Sequence, residues 1–229
     1  GGQSGTQLRA TGALALMTTV FFDLDGTLTD PMQGITRCIQ HALRELGREV
    51  LPAEQLTWCI GPPLLGSLRK LVGGELADRA LALYRERFAD VGLYENVLYP
   101  GVVDTLQAFS AAGARMFVAS SKPEVYVERI VEHFAIGDFF DGVFGSQLDG
   151  TRVDKSDLLR FALVQTQTIA AATTMVGDRE HDVIGARQNG MHSVGVLYGY
   201  GSAEELEQAG AHVLASTPEE LVSVLLDAR

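Results

Sequence analysis

Four stretches of this chain carry side chains able to hold or transfer a charged group. Residues 21–30 read Phe-Phe-Asp-Leu-Asp-Gly-Thr-Leu-Thr-Asp, so the apolar run Val20 to Leu24 meets two carboxylates, Asp23 and Asp25, and then Gly26-Thr27. Asp is depleted in strands, and two acids beside a core strand repel each other. Something must compensate, and a divalent cation is the simplest candidate. Gly26 lets the backbone turn sharply and can bring N–H groups close to a bound anion. The plain alternative is a strand-end turn whose acids face solvent. Residues 174–182, Thr-Met-Val-Gly-Asp-Arg-Glu-His-Asp, repeat the device with Asp178 and Asp182 after an apolar strand at 173–176. Between the two acidic stations, the strand Met116 to Ala119 ends in Ser120-Ser121-Lys122-Pro123, and Lys155 opens an amphipathic helix. In an open α/β sheet, ligands bind at the carboxyl ends of strands, which is where all these groups fall.

The elements that position them follow from hydrophobic period. After the first acidic strand the pattern is helical for about 60 residues. Ile35, Cys38, Ile39, Ala42, Leu43 and Leu46 lie on one helix face before Gly47. A short second helix is expected from Pro52, a break at Gly61-Pro62-Pro63, and further helices over 64–71 and 75–91. Helices inserted after strand one do not continue a strand–helix series. They predict an all-helical lid over 31–99, hinged at Pro31 and Tyr99-Pro100-Gly101. From Val102 the alternation is regular. Helices at 102–112, 124–134, 155–166, 181–189, 203–209 and 218–227 alternate with strands at 115–119, 142–145, 173–176, 192–196 and 212–214. Such alternation predicts a doubly wound parallel α/β sheet, with residues 17–30 and 100–229 forming the core domain.

Composition narrows the partners. The chain has 229 residues, 46% of them hydrophobic, with a net charge of −11. That charge argues against a nucleic-acid polymer or an anionic membrane, while a small anionic substrate stays compatible through local cations and a metal. No run approaches the roughly 18 apolar residues of a membrane span. Cys38 and Cys59, the two cysteines, lie in apolar helical patterns and predict buried free thiols in a reducing cytoplasm, in a monomer or homodimer. Residues 1–16, linker-like at Gly1-Gly2-Gln3-Ser4-Gly5, are expected to be a tag or flexible extension ahead of a start at Met17.

The strand-end acid pair, strand-end hydroxyl, lysine and second acid pair, in that order, resemble the haloacid dehalogenase superfamily of phosphohydrolases. The resemblance spans nearly everything from Met17 onward. It implies a core sheet of strand order 3-2-1-4-5 and an aspartyl-phosphate mechanism, with Asp23 as nucleophile and Asp25 as general acid and base. Branches of the superfamily that cleave carbon–halogen or carbon–phosphorus bonds lack the second Asp, so Asp25 selects phosphoryl transfer. By the same resemblance, Ser120 holds a phosphoryl oxygen, with Ser121 the weaker choice, and Lys155 offsets charge on nucleophile and substrate. Ser156 stands where the family often has Pro. Asp23, Asp25, Asp178 and Asp182 are the implied Mg²⁺ site, oxygen ligands favouring Mg²⁺ over zinc. Lys122 reads as structural and His181 as a helix-start residue.

Substrate contacts are expected from Gly26, from Gly61 and Pro62 in the lid loop, and from Arg37 on the first lid helix, although a charged helix residue is usually solvated. Leu81, Tyr84 and Phe88 fit a helical core stripe. The Gly-Pro-Pro loop and the Asp-Gly-Thr-Leu-Thr-Asp-Pro start look like the phosphoglycolate-phosphatase branch, some members of which hydrolyse nucleoside 5′-monophosphates. The expected activity is therefore Mg²⁺-dependent hydrolysis of a small phosphomonoester. A sugar-phosphate mutase on the same scaffold and a non-catalytic phospho-acceptor module are the competing readings.

Overall fold

The computed structural model describes residues 18–227. The expected extension at 1–16 and the start at Met17 lie outside them. The first apolar run forms β1 (Thr19–Phe22), all four residues buried. The chain then leaves the sheet through β2 (Thr29–Asp30) into α1 (Met32–Glu45), α2 (Leu64–Val72) and α3 (Gly74–Asp90). It returns through β3 (Val97–Leu98), which pairs antiparallel with β2. The helix expected from Pro52 is instead two single 3₁₀ turns, Ala53–Gln55 and Thr57–Cys59. Eight residues between Pro52 and Gly61 cannot close enough i→i+4 bonds to hold an isolated helix. The β2–β3 ribbon is too short to show a period of two, and the sequence does not reveal it.

The remainder alternates as expected: α4 (Val102–Ala111), β4 (Arg115–Pro123), α5 (Glu124–His133), β5 (Gly142–Ser146), α6 (Lys155–Thr166), β6 (Thr173–Gly177), α7 (Glu180–Gln188), β7 (His192–Val196), α8 (Ala203–Ala209), β8 (Val213–Ala215) and α9 (Pro218–Val222). The last helix is shorter than expected, continuing as one π turn over Ser223–Asp227. Six parallel strands lie in the order β5-β4-β1-β6-β7-β8. In core-strand numbers this is 3-2-1-4-5 with a sixth strand at the edge.

Strand periodicity splits the core. Phe21 points to one face, stacked on Phe117 at 4.9 Å and packed with Leu158, Leu159 and Met175. Phe22 points to the other and meets Phe109 edge-on. That second cluster runs without a break from Val20 and Leu106 to Ile35, Ile39, Leu68 and Phe88 of the helical segment. Three guanidinium groups also bridge segment and sheet by donating to backbone carbonyls: Arg85 to Leu148, Arg129 to Ala89 and Arg179 to Ile60.

Candidate active site

β1 is the central strand, so the turn that follows it opens at the middle of the sheet's carboxyl edge. Three amides, of Thr27, Leu28 and Thr29, converge on the Leu24 carbonyl and fold the chain back at once. Gly26 sits in this turn at φ +82°, and a Cβ there would lie 2.1 Å from Asp178 Oδ2. Only glycine meets both demands. Its amide donates to the Thr29 carbonyl, and the residue is not among those lining the cleft.

Asp23 and Asp25 are 3% and 6% exposed. Lys155, first residue of α6 behind an Asp154 cap, inserts between carboxylates: its Nζ is 3.1 Å from Asp23 Oδ1, 2.8 Å from Asp182 Oδ1 and 2.9 Å from the Ala119 carbonyl. Ser156, where family members often carry Pro, accepts from Asn189 Nδ2 and so ties α6 to α7. Ser120 and Ser121 both line the cleft, and the Ser120 hydroxyl accepts from the Lys122 amide at 3.3 Å. Lys122 is far from a surface residue. Its ammonium pairs with Asp25 at 2.7 Å and lies over the Phe88 ring at 4.7 Å.

Asp178 is fully buried, with Gly199 and Gly201 packed as tightly against it as Gly26. Its Oδ2 accepts from the Tyr200 amide at 2.7 Å, while Oδ1 is buried and has no hydrogen-bond partner. Asp182 Oδ2 accepts from the Arg179 amide at 3.1 Å, closing the first turn of α7. The electrostatics follow. Burial, then the neighbouring Asp182, push Asp23 up to about 7 against the pull of Lys155. Burial likewise raises Asp178 well above the carboxylate range, with Asp182 and Asp23 adding to it. Burial would raise Asp182 too, but Lys155 and His181 outweigh it and hold Asp182 low. Burial would lower Lys155, yet Asp182 and Asp23 hold it charged above its ordinary range.

Four buried carboxylates thus face two ammonium groups, too few to compensate all four acids if ionised, and the shortfall suits a divalent cation. The orphan Oδ1 of Asp178 is a further acceptor of the required kind. These hard oxygen donors suit Mg²⁺. Asp23, His181 and Asp182 also place ligand atoms within 4.8 Å of one another. Between Asp23 and Asp182, however, stands the Lys155 ammonium, which repels a cation at that point. Burial lowers the basicity of His181, which sits in the first turn of α7 as expected.

Gly61, Pro62 and Pro63 line the cleft. At Gly61, φ is +103°, and a Cβ would lie 2.8 Å from Arg179 Cγ and 3.5 Å from His181 Cε1. Arg37 lies outside the cleft lining. It is half exposed, paired with Glu95, and absent from the cleft, because Glu95 on the chain leaving the helices captures it. Leu81, Tyr84 and Phe88 do more than fill a core stripe: they form one wall of the cleft with Ile35 and Tyr126. Sequence reasoning missed the Asp25 partner in Lys122, the Arg179 bridge and the Tyr198-Gly-Tyr-Gly201 loop around Asp178. A glycine-rich turn directly after a strand was the available signal for the last.

The sequence model of the haloacid dehalogenase-like hydrolases matches residues 20–196, and the chain belongs to that family. It is 44% identical over 189 residues to a 5′-nucleotidase of Pseudomonas aeruginosa, covering 82% of this chain and 86% of that one. It is 39% identical over 208 residues to the tyrosine-protein kinase PtkA of Mycobacterium tuberculosis, covering 90% and 72%. A crystal structure of a predicted phosphatase from Clostridium acetobutylicum superposes with a TM-score of 0.89 at 39% identity, over 93% of this chain and all of that one.

Proposed function

We propose that this protein is a Mg²⁺-dependent phosphatase that hydrolyses a small phosphomonoester through an aspartyl-phosphate at Asp23. The observation that carries the reading is the charge arrangement at the sheet edge. Asp23, Asp25, Lys122 and Ser120 line a cleft of about 190 Å³, and behind them Lys155 ties Asp23 to Asp182 beside the buried Asp178. Asp23 Oδ attacks phosphorus, the bond from phosphorus to the leaving oxygen breaks, and Asp25 gives that oxygen its proton. Water then attacks the same phosphorus, Asp25 takes the proton back, and the Asp23–phosphoryl bond breaks to release phosphate. Lys155 and Ser120 stabilise charge on the phosphoryl oxygens. Asp23, Asp25, Asp178 and Asp182 are the residues that would hold or orient Mg²⁺, which supplies neutralisation of phosphoryl charge.

The cleft walls favour an uncharged leaving group. Ile35, Leu81, Tyr84, Phe88 and Tyr126 are apolar in bulk, and both lining cations are engaged, Arg85 on the Leu148 carbonyl and Lys122 on Asp25. A carboxylated leaving group such as glycolate meets no free cation among the described lining residues. A nucleoside suits an aromatic wall better, in keeping with the 5′-nucleotidase relative. The domain division at 31–99, the cytoplasmic location and a monomeric or homodimeric state belong to the same reading. Among the described residues no helix is long and apolar enough to cross a membrane.

The test is phosphate release from a panel of nucleoside 5′-monophosphates, phosphoglycolate and sugar phosphates, with Mg²⁺ and with EDTA. Nucleotide hydrolysis that EDTA silences is expected. Release insensitive to EDTA, or conversion of a sugar phosphate to its isomer without release, would sink the proposal.

A further inference from the structure

Lys122 is a residue the phosphatase chemistry above does not use, and its surroundings leave it little freedom. It lies near the end of β4, where the register against β5 shifts between Ser120 and Pro123. The Lys122 side chain lines the cleft. The ammonium contacts both oxygens of Asp25, at 3.0 Å to Oδ1 and 2.7 Å to Oδ2. Beneath it lies the face of Phe88 from α3. That ring is itself wedged between Tyr84, stacked at 5.3 Å, and Tyr126, edge-on at 5.3 Å. The Lys122 side chain is only 7% exposed, and Asp25's is 9%. A buried pair with two contacts fixes direction as well as charge, because neither partner can swing to water.

We infer that Lys122 is a positioning residue for leaving-group protonation: it clamps the Asp25 carboxyl in the orientation that reaches the leaving oxygen, and Phe88 holds the clamp against the helical segment. The inference rests on the phosphatase reading given above. Asp25 remains the group that gives and takes the proton; Lys122 transfers nothing and acts through it. The consequence is specific. Phosphomonoesters whose leaving oxygen must be protonated need the clamp, and those that leave as a stable anion do not.

The experiment compares kcat/KM for Lys122→Met and wild type on two esters in Mg²⁺. One is a nucleoside 5′-monophosphate, with a poor alkoxide leaving group. The other is 4-nitrophenyl phosphate, whose phenolate departs unaided. This ratio covers steps up to loss of the leaving group. Lys122→Met is expected to lose about 10²-fold on the nucleotide, the lower end of what a well-placed general acid contributes. On the aryl ester it should lose only about threefold, and Lys122→Arg should recover part of the nucleotide activity. An equal loss on both esters would overturn the inference, since that marks a phosphoryl contact or a damaged fold. No loss on either would overturn it as well. If Lys122→Met fails to give a cooperative melt, Lys122→Arg and Lys122→Gln carry the same comparison. Wild-type turnover reports on the phosphatase reading separately: an enzyme that hydrolyses neither ester refutes that reading, whereas the variant-to-wild-type pattern judges only Lys122.

Discussion

The two sides of the cleft are built on opposite principles. The sheet edge is crowded with charge: Asp23, Asp25, Asp178, Asp182 and Lys155 are each 6% exposed or less, and every one touches another polar group of the site or of the adjoining backbone. The helical side offers Ile35, Leu81, Tyr84 and Phe88, with a proline loop at the rim. Charges buried together are expensive to rearrange, so the sheet edge is fixed and tuned for one reaction. Apolar walls are tolerant of exchange at constant volume, so the helical side can change what it admits without disturbing the chemistry. Substitutions on the two sides should therefore produce different kinds of effect.

The largest effect is expected from Asp23→Asn, which keeps size and removes the attacking oxygen. Turnover should fall by on the order of 10⁴–10⁶, as for other lost nucleophiles, with a cooperative thermal melt retained. A variant keeping a tenth of wild-type activity would place the covalent step elsewhere. Next is Asp178→Ala, which should raise the Mg²⁺ concentration for half-maximal activity at least tenfold, or about 1.4 kcal/mol. Unchanged Mg²⁺ titration would move the metal away from Asp178. Ca²⁺ should replace Mg²⁺ poorly in the wild type, since its larger and looser shell misplaces the phosphoryl group.

On the helical side, Gly61→Ala puts a methyl group 2.8 Å from Arg179 Cγ at a backbone angle that disfavours it. Relative kcat/KM between two nucleotides should shift by about 1–3 kcal/mol, the range for altered pocket contacts. Uniform loss on all substrates would show that the loop only shapes the fold. The smallest effect concerns Glu95, which sits off the cleft between Arg87 and Arg37. Burial would raise this carboxyl, but the two guanidinium groups prevail and hold it below its ordinary 4.5. A depressed acid stabilises the fold above its unfolded value and loses that contribution as pH falls through the folded one. Glu95→Gln should cost less than about 1 kcal/mol at pH 7. The difference from wild type should vanish in urea melts at acidic pH, below the Glu95 titration; a constant difference would mean charge is not its source.

The same contrast explains what the amino-acid sequence disclosed. Strands that end in Asp, Ser or Gly announce themselves because such residues interrupt an apolar run, so Asp23, Asp25, Ser120 and Asp178 stand out one by one. Alternation of elements from Val102 onward did the same for the parallel sheet. What stayed hidden depends on contacts across long separations. Lys122 finds Asp25 across 97 positions, and Arg179 finds the Ile60 carbonyl across 119. Arg37 shows the converse: one turn into a helix it is a plausible substrate contact, but Glu95, 58 residues away, claims it. Tyr84 and Phe88 have the spacing of any core stripe, and only the tertiary arrangement turns that stripe toward the cleft.

The two-residue ribbon described at the outset of the helical segment has a consequence for how such proteins diversify. Asp30 faces Val97, so a stretch of 66 residues departs from and returns to a single small ribbon separate from the six-stranded sheet. Seen as architecture, this is a socket with adjacent terminals. Anything that begins and ends a strand-spacing apart can be plugged into it, from a tight hairpin turn to a full helical bundle, without re-threading the strands beneath. Recombination at that socket would exchange the helical wall of the cleft in one event and leave the buried acids and lysines in register.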